Sequence, residues 1–150
     1  MKLLDVNVLV YAHREDAPNH HDYRVWLQQL IGSAEPFAVP DLVLSGFLRI
    51  VTHPKIFDPP TDLDLALRFV QTIRESTPDM VIAPGPGHWP IFTRLVRESR
   101  CRGNLIPDAF MAAMAIESGC TWITTDRDYS RFKGLSWRHP LDSELRPGLG

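Results

Sequence analysis

The stretch DAFMAAMAIESGCTWITTDRDYSRF, Asp108 to Phe132, decides how the rest of the chain is read. Its first half, rich in Ala and Met, suits a buried helix, and Gly119 stands where a left-handed helix stop favours glycine. TWIT, Thr121 to Thr124, then reads as a short buried strand of β-branched and aromatic residues. The strand runs into two aspartates, Asp126 and Asp128, with Arg127 between them. Alone, such a cluster is an ordinary polar turn. Its meaning depends on which other acids reach the same edge of the sheet.

Working outward, Lys2 to Leu4 reads as a first strand ended by Asp5. NVLVYAHRE follows as a helix with Asn7 near its cap, and Pro18 opens a second helix that stops at Gly32. Phe37 to Pro40 is a second strand. Asp41 then precedes a buried helix, LVLSGFLRIV, which ends before Pro54. An amphipathic helix starts near Thr61, a cap candidate, with Leu63, Leu67, Val70 and Ile73 on one face. Met80 to Pro84 reads as a third strand, and HWPIFTRLVRES as a helix with Ile91, Leu95 and Val96 inward. RGNLIP reads as a loop before Asp108, and Leu135 to Trp137 as a fifth strand. Strands alternating with helices predict an α/β fold, a mostly parallel sheet with helices on both faces, in a single domain over residues 1–150.

With 44% hydrophobic and 23% charged residues, the 150-residue chain can build an ordinary globular core. No apolar run approaches the ~20 residues of a membrane span, and the N-terminus lacks a signal-peptide pattern. Two cysteines, Cys101 and Cys120, fit neither a disulfide framework nor a CxxC metal site, so a reducing cytoplasm is expected. The net charge of −2 does not advertise a nucleic-acid binder. Arginines are nonetheless clustered, at Arg94, Arg97, Arg100 and Arg102 and again at Arg127, Arg131 and Arg138.

In parallel sheets, ligands bind beyond the carboxyl ends of the strands. Asp5 ends the first strand, Asp41 follows the second, and Asp126 and Asp128 follow TWIT. Asp108 opens the helix just before TWIT. Each has a bland role open to it: Asp41 and Asp128 as caps, Asp108 as a partner of the helix dipole. Asp5 is the hardest to explain that way, because it interrupts a buried run where a lone carboxylate is costly. Close carboxylates without His or Cys suit a hard cation, Mg²⁺ or Mn²⁺, and such ions serve phosphodiester hydrolysis. The six histidines show no HExxH or HxxxH spacing, and no P-loop or GxGxxG is present.

LLDVNVLVYA, FLRIVTHPKIF and NLIPDAFMAAMAIESGCTWITTDRDYSRFKGLSWRHPL together resemble the PIN-domain ribonucleases, specifically VapC-type toxins of bacterial toxin–antitoxin pairs. The resemblance spans nearly the whole chain. It implies a three-layer α/β/α sandwich around a short, mostly parallel sheet. It further implies a Mg²⁺- or Mn²⁺-dependent endoribonuclease acting on RNA, often tRNA or other structured RNA. A cognate VapB-like antitoxin and a homodimer belong to the same expectation. Asp5, Asp108 and Asp126 match the family's acids, with Asp128 beside them. Asn7, and Thr124 or Thr125, match small polar positions that orient carboxylates. Many members carry Glu three residues before the arginine matching Arg49, where this chain has Gly46. Asp41 is the nearest acid, but five helical residues put it about 140° around and ~7.5 Å along the axis.

The expected chemistry follows. Asp5, Asp108 and Asp126 hold a divalent ion, Asp128 and Asp41 are further acidic candidates, and Arg49, Arg102 and Arg127 are candidates for phosphate contacts. The alternatives are a degenerate PIN fold that only binds RNA or protein, and another metal-dependent phosphoryl hydrolase. A haloacid-dehalogenase-type phosphatase would want a second Asp where DVN places Asn7.

Overall fold

The computed structural model describes residues 1–143. The last seven residues of the expected 1–150 domain lie outside that range. The elements, in chain order, are β1 (Lys2–Leu4), α1 (Val6–His13), α2 (His20–Gly32), β2 (Phe37–Ala38), α3 (Asp41–Val51), α4 (Leu63–Glu75), α5 (His88–Glu98), α6 (Leu105–Ser118), β3 (Thr121–Ile123), a 3₁₀ turn (Arg127–Arg131) and β4 (Trp137–Arg138). The four strands form one sheet in the order β2-β1-β3-β4, and every pairing is parallel. Helices α1 to α4 pack among themselves, while α5 and α6 pack on each other and α6 on β3. The result is the α/β/α architecture expected from the sequence. Among the described residues no helix is long and apolar enough to cross a membrane.

The centre of the sheet is the centre of the core. Leu3 and Leu4 of β1 and Trp122 and Ile123 of β3 are almost completely buried, as parallel strands covered on both faces must be. Helix α6 buries Ala109, Ala112, Ala113 and Ala115, small side chains that let it lie close to its neighbours. It closes with Gly119 at φ +68°, the left-handed stop read from the sequence.

Several expectations are corrected. Met80 to Pro84 forms no strand: β2, the edge it would join, is two residues long and bounded by Pro36 and Pro40, so it offers almost no ladder. Helix α4 keeps Ile73 and Val70 of the expected face inward but rotates so that Ala66 and Phe69 replace Leu63 and Leu67, at i, i+3, i+4 and i+7. Phe69 sets that rotation by stacking on Phe47 at 4.8 Å and meeting His13 at 4.9 Å, which leaves Leu63 and Leu67 exposed. Its cap is Asp62, whose carboxylate accepts from the Leu65 N–H; Thr61 is buried instead, within reach of His13 and Arg14. Helix α6 begins at Leu105, so Leu105 to Pro107 belong to its first turn rather than to a loop. The last strand is Trp137–Arg138, starting two residues and ending one residue later than Leu135 to Trp137.

Trp122 is fully buried, and its indole N–H has no hydrogen-bond partner among the described residues. Trp122→Ala is expected to cost about 3–5 kcal/mol in urea unfolding, and Trp122→Phe clearly less, because it also removes an unpaired donor. Equal losses for the two variants would show that ring shape, not buried area, sets the cost.

Candidate active site

Asp5 follows β1 directly and caps α1, so the strand end and the helix start converge on its carboxylate. Its Oδ1 accepts from the Val6 N–H at 2.7 Å. Its Oδ2 accepts from the Thr124 hydroxyl at 2.7 Å and from the Asn7 amide at 3.2 Å. The Asp5 N–H donates to the Ile123 carbonyl, continuing the β1–β3 ladder. Thr124, the next residue after β3, is completely buried. Its Oγ1 also accepts from the Asp126 N–H at 3.0 Å and from Asn7 at 3.3 Å. The Asn7 carbonyl oxygen accepts from the Thr125 N–H. Adjacent parallel strands thus deliver Asp5 and Asp126 side by side, with Thr124 and Asn7 between them. Thr125 contributes through its backbone, not through its side chain.

Asp126 caps the 3₁₀ turn, its Oδ1 accepting from the Asp128 N–H at 2.9 Å. Asp108 stands in the first turn of α6, where the Tyr129 hydroxyl donates to its Oδ1 at 3.3 Å. Burial lifts Asp5 to a pKa of about 6, with repulsion from Asp108 and Asp126 adding to the rise. Asp108 is raised as well, first by burial and then by Asp126 and Asp128, against the Tyr129 hydrogen bond and Arg131. The Tyr129 hydroxyl is pushed far up by burial and by the same three carboxylates, Asp5, Asp108 and Asp126. Three acids therefore share one field with Tyr129 among them.

Tyr129 is the residue the sequence reading missed. Its only signal was an aromatic three places after Asp126, inside what read as a polar turn. It lines a cleft of about 630 Å³ together with Asp5, Asp108, Gly46 and Arg49, walled by apolar residues such as Phe92 and Phe110. Arg49 is exposed, and its guanidinium has no partner among the described residues. Arg102 is exposed and unpaired in the same sense, on the approach to α6.

Other expected residues fall elsewhere. Asp41 is not brought to the cleft: it is exposed, ion-paired with Arg74, and lines a separate cavity of about 360 Å³. Arg127 holds Asp142 with two hydrogen bonds, 3.2 and 2.8 Å, so its guanidinium is already occupied. Asp128 is largely exposed, its carboxylate 3.8 Å from Arg131. Gly46 faces the cleft, and a Cβ there would make an ordinary 3.6 Å contact with Val6. Space would admit a larger residue, yet α3 contributes no carboxylate to the cleft.

The donor set fits a hard divalent ion. Asp5, Asp108 and Asp126 are oxygen donors in mutual repulsion, and none has an ion-pair partner among the described residues. Among the described residues no group of three or more His, Cys, Asp or Glu lies close enough together to hold a metal ion by itself, so an ion here would take fewer protein ligands. Mg²⁺ is ordinarily held by one or two carboxylates with water in its other positions, which such an open arrangement suits.

Residues 2–135 match the family model described as PIN domain. The chain is 44% identical over 144 residues to Ribonuclease VapC43 of Mycobacterium tuberculosis, covering 96% of this chain and 98% of that protein. It is 40% identical over 149 residues to Ribonuclease VapC31 of the same species, covering 99% and 100%. Among solved structures it resembles VapBC2 from Rickettsia felis bound to a promoter DNA fragment, with a TM-score of 0.68, 18% identity and coverage of 91% and 96%. It also resembles VapBC-1 from nontypeable Haemophilus influenzae, with a TM-score of 0.66, 14% identity and coverage of 94% and 98%. At those identities the structural likeness speaks for the fold alone.

A raised carboxylate makes the metal-free fold prefer the protonated form. The Asp5 contribution is full below pH 4 and is lost as the pH climbs through about 6, a change on the order of 3 kcal/mol. Urea unfolding in EDTA is expected to show wild type losing stability relative to Asp5→Asn between pH 4 and pH 7. A difference that stays flat with pH would mean that Asp5 does not titrate in this window.

Proposed function

The chain belongs to the PIN-domain family, and from that premise we propose that it is a metal-dependent endoribonuclease, the toxin of a toxin–antitoxin pair. The observation that carries the reading is that Asp5 feels both Asp108 and Asp126 electrostatically, with Asp5 and Asp108 lining one open cleft. Near full-length relatives named as VapC ribonucleases support it. A VapB-like antitoxin is the proposed protein partner, in line with the VapBC assemblies among the structural neighbours. A second copy of the chain is a further proposed partner, and the exposed Leu63, Leu65 and Leu67 of α4 give apolar surface that an assembly could cover. The proposed setting is the cytoplasm; both cysteines are free thiols.

Asp5, Asp108 and Asp126 would hold Mg²⁺ or Mn²⁺, with Asp128 a more exposed acid at the margin. When bound, the ion supplies an activated water and offsets charge on the phosphoryl group. The chain's own residues do the rest. Thr124 and Asn7 fix the Asp5 carboxylate from behind, leaving it one orientation. Tyr129 does the same for Oδ1 of Asp108. Arg49, exposed and unpaired on the cleft wall, is placed to take a phosphate of the RNA. The apolar walls on one side lower the local dielectric beside the carboxylates.

The missing acid at Gly46 favours one competing reading, a PIN fold that binds RNA or protein without cutting. One pair of measurements separates the two. Cleavage of labelled RNA in Mg²⁺ or Mn²⁺ should fall by about a hundredfold or more in Asp5→Ala, Asp108→Ala and Asp126→Ala. Mn²⁺ should raise the melting temperature of wild type but not of these variants. Equal cleavage by all four proteins would sink the nuclease assignment, and no Mn²⁺ shift in wild type would favour the non-catalytic module. Tyr129→Phe should fold normally and weaken Mn²⁺ binding about 10-fold or more, read by calorimetric titration. Unchanged Mn²⁺ affinity would leave Tyr129 a packing residue only.

A further inference from the structure

We propose that the basic ridge Arg97, Arg100 and Arg102, at the turn from α5 to α6, carries the phosphate backbone of single-stranded RNA beside the carboxylate cleft. The proposal rests on the ribonuclease reading above. In RLVRESRCR, Arg94 to Arg102, four arginines face one acid, Glu98. Glu98 is taken by Arg94 at 3.0 Å. The guanidinium groups of Arg97, Arg100 and Arg102 have no hydrogen-bond or ion-pair partner among the described residues, and all three residues are exposed. Like charges this close repel unless an anion comes to them.

The backbone gives a second, independent observation. Arg100 has φ +49°, in the left-handed region, just past the end of α5. The Cys101 N–H donates to the Val96 carbonyl at 2.9 Å and the Arg100 N–H to the Arg97 carbonyl, so this residue closes the helix. Glycine does that without strain, as Gly119 does after α6 at φ +68°. An arginine here costs free energy that glycine would save, and its side chain makes no hydrogen bond or ion pair among the described residues that repays it. Strain of this kind collects at functional positions.

The ridge also abuts the site. The Ser99 hydroxyl donates to the Arg131 carbonyl at 3.4 Å. The Cys101 thiol, between Arg100 and Arg102, feels both Arg131 and Asp108 electrostatically. Arg131 in turn lies 3.8 Å from Asp128 and acts on Asp108. A cleft lined by Asp5 and Asp108 repels a polyanion, so a chain that draws RNA there needs cations alongside. With a net charge of −2, the whole-protein field cannot supply them; a local ridge can.

The test is fluorescence anisotropy of a labelled, unstructured 12-nucleotide RNA on the intact protein in EDTA, from 50 to 200 mM salt. Three single-strand phosphate contacts carry a log–log salt slope of about 2, or roughly a 20-fold loss over that range. The triple variant Arg97→Ala, Arg100→Gly, Arg102→Ala should lose that part of the slope, and to the same extent for a second RNA sequence. Arg100→Gly alone should lose about a third of it while raising the melting temperature, which separates lost contact from lost fold. Unchanged affinity and slope in the triple variant would overturn the proposal, as would no RNA binding by wild type at 50 mM salt. Loss of binding to an acidic protein partner with RNA binding intact would assign the ridge to that partner and overturn it equally. Because binding is read without metal, failure here is distinct from failure of metal-dependent cleavage to depend on Asp108.

Discussion

The buried carboxylate of Asp5 is the constraint on which the site depends. A charge in that position is tolerable only with donors to offset its burial, and three from two elements do so while leaving a lone pair open: Val6 and Asn7 from α1, and Thr124 from the end of β3. The Thr124 donor reaches Asp5 because β1 and β3 are sheet neighbours in register, Leu4 opposite Ile123. The same hydroxyl accepts from the Asp126 N–H, so one buried oxygen places two acids. Even so, burial outweighs those hydrogen bonds and holds the pKa of Asp5 near 6. The fold spends stability to keep a carboxylate that wants either a proton or a cation, a trade expected of functional sites and not of structural ones.

The acids were readable because they sit where chain topology alone fixes them. Asp5 and Asp126 follow adjacent strands of a parallel sheet and Asp108 opens the helix before β3, so alternation of elements puts all three near one edge, though the same rule put Asp41 there as well. Thr124 and Asn7 lie within two residues of those acids and came with them. Tyr129 was not readable, because its hydroxyl reaches Asp108 across 21 residues only after the 3₁₀ turn packs on α6. The same limit applies to Arg127, whose guanidinium is claimed by Asp142, and to Asp41, claimed by Arg74. Long side chains choose partners in space, and local sequence does not hold that information.

The misread elements follow the same rule. Met80 to Pro84 has strand-like composition, but a strand needs a ladder, and β2 is two residues long with Pro36 before it and Pro40 shortly after. Helix α4 has leucines enough for two faces, and the stacking of Phe69 on Phe47 and His13 decides between them. In both cases local propensity was satisfied and the tertiary partner overruled it.

Charge distribution resolves the oddity of a nearly neutral chain in a family of nucleases. A net −2 is the sum of two opposed arrangements that do not cancel in space. The cleft gathers carboxylates without cationic partners, and the turn after α5 gathers arginines without acidic ones. Exposed charges on an ordinary surface pair off or intersperse, as Arg14 with Asp16 and Arg94 with Glu98 do here. Leaving both sets unpaired and adjacent has an electrostatic cost in the free protein. On the proposed reading, a polyanion along the arginines and a cation among the aspartates would offset that cost, each improving the field for the other. Separation of charge on this scale couples the two halves of the site through the field as well as through the Ser99–Arg131 hydrogen bond.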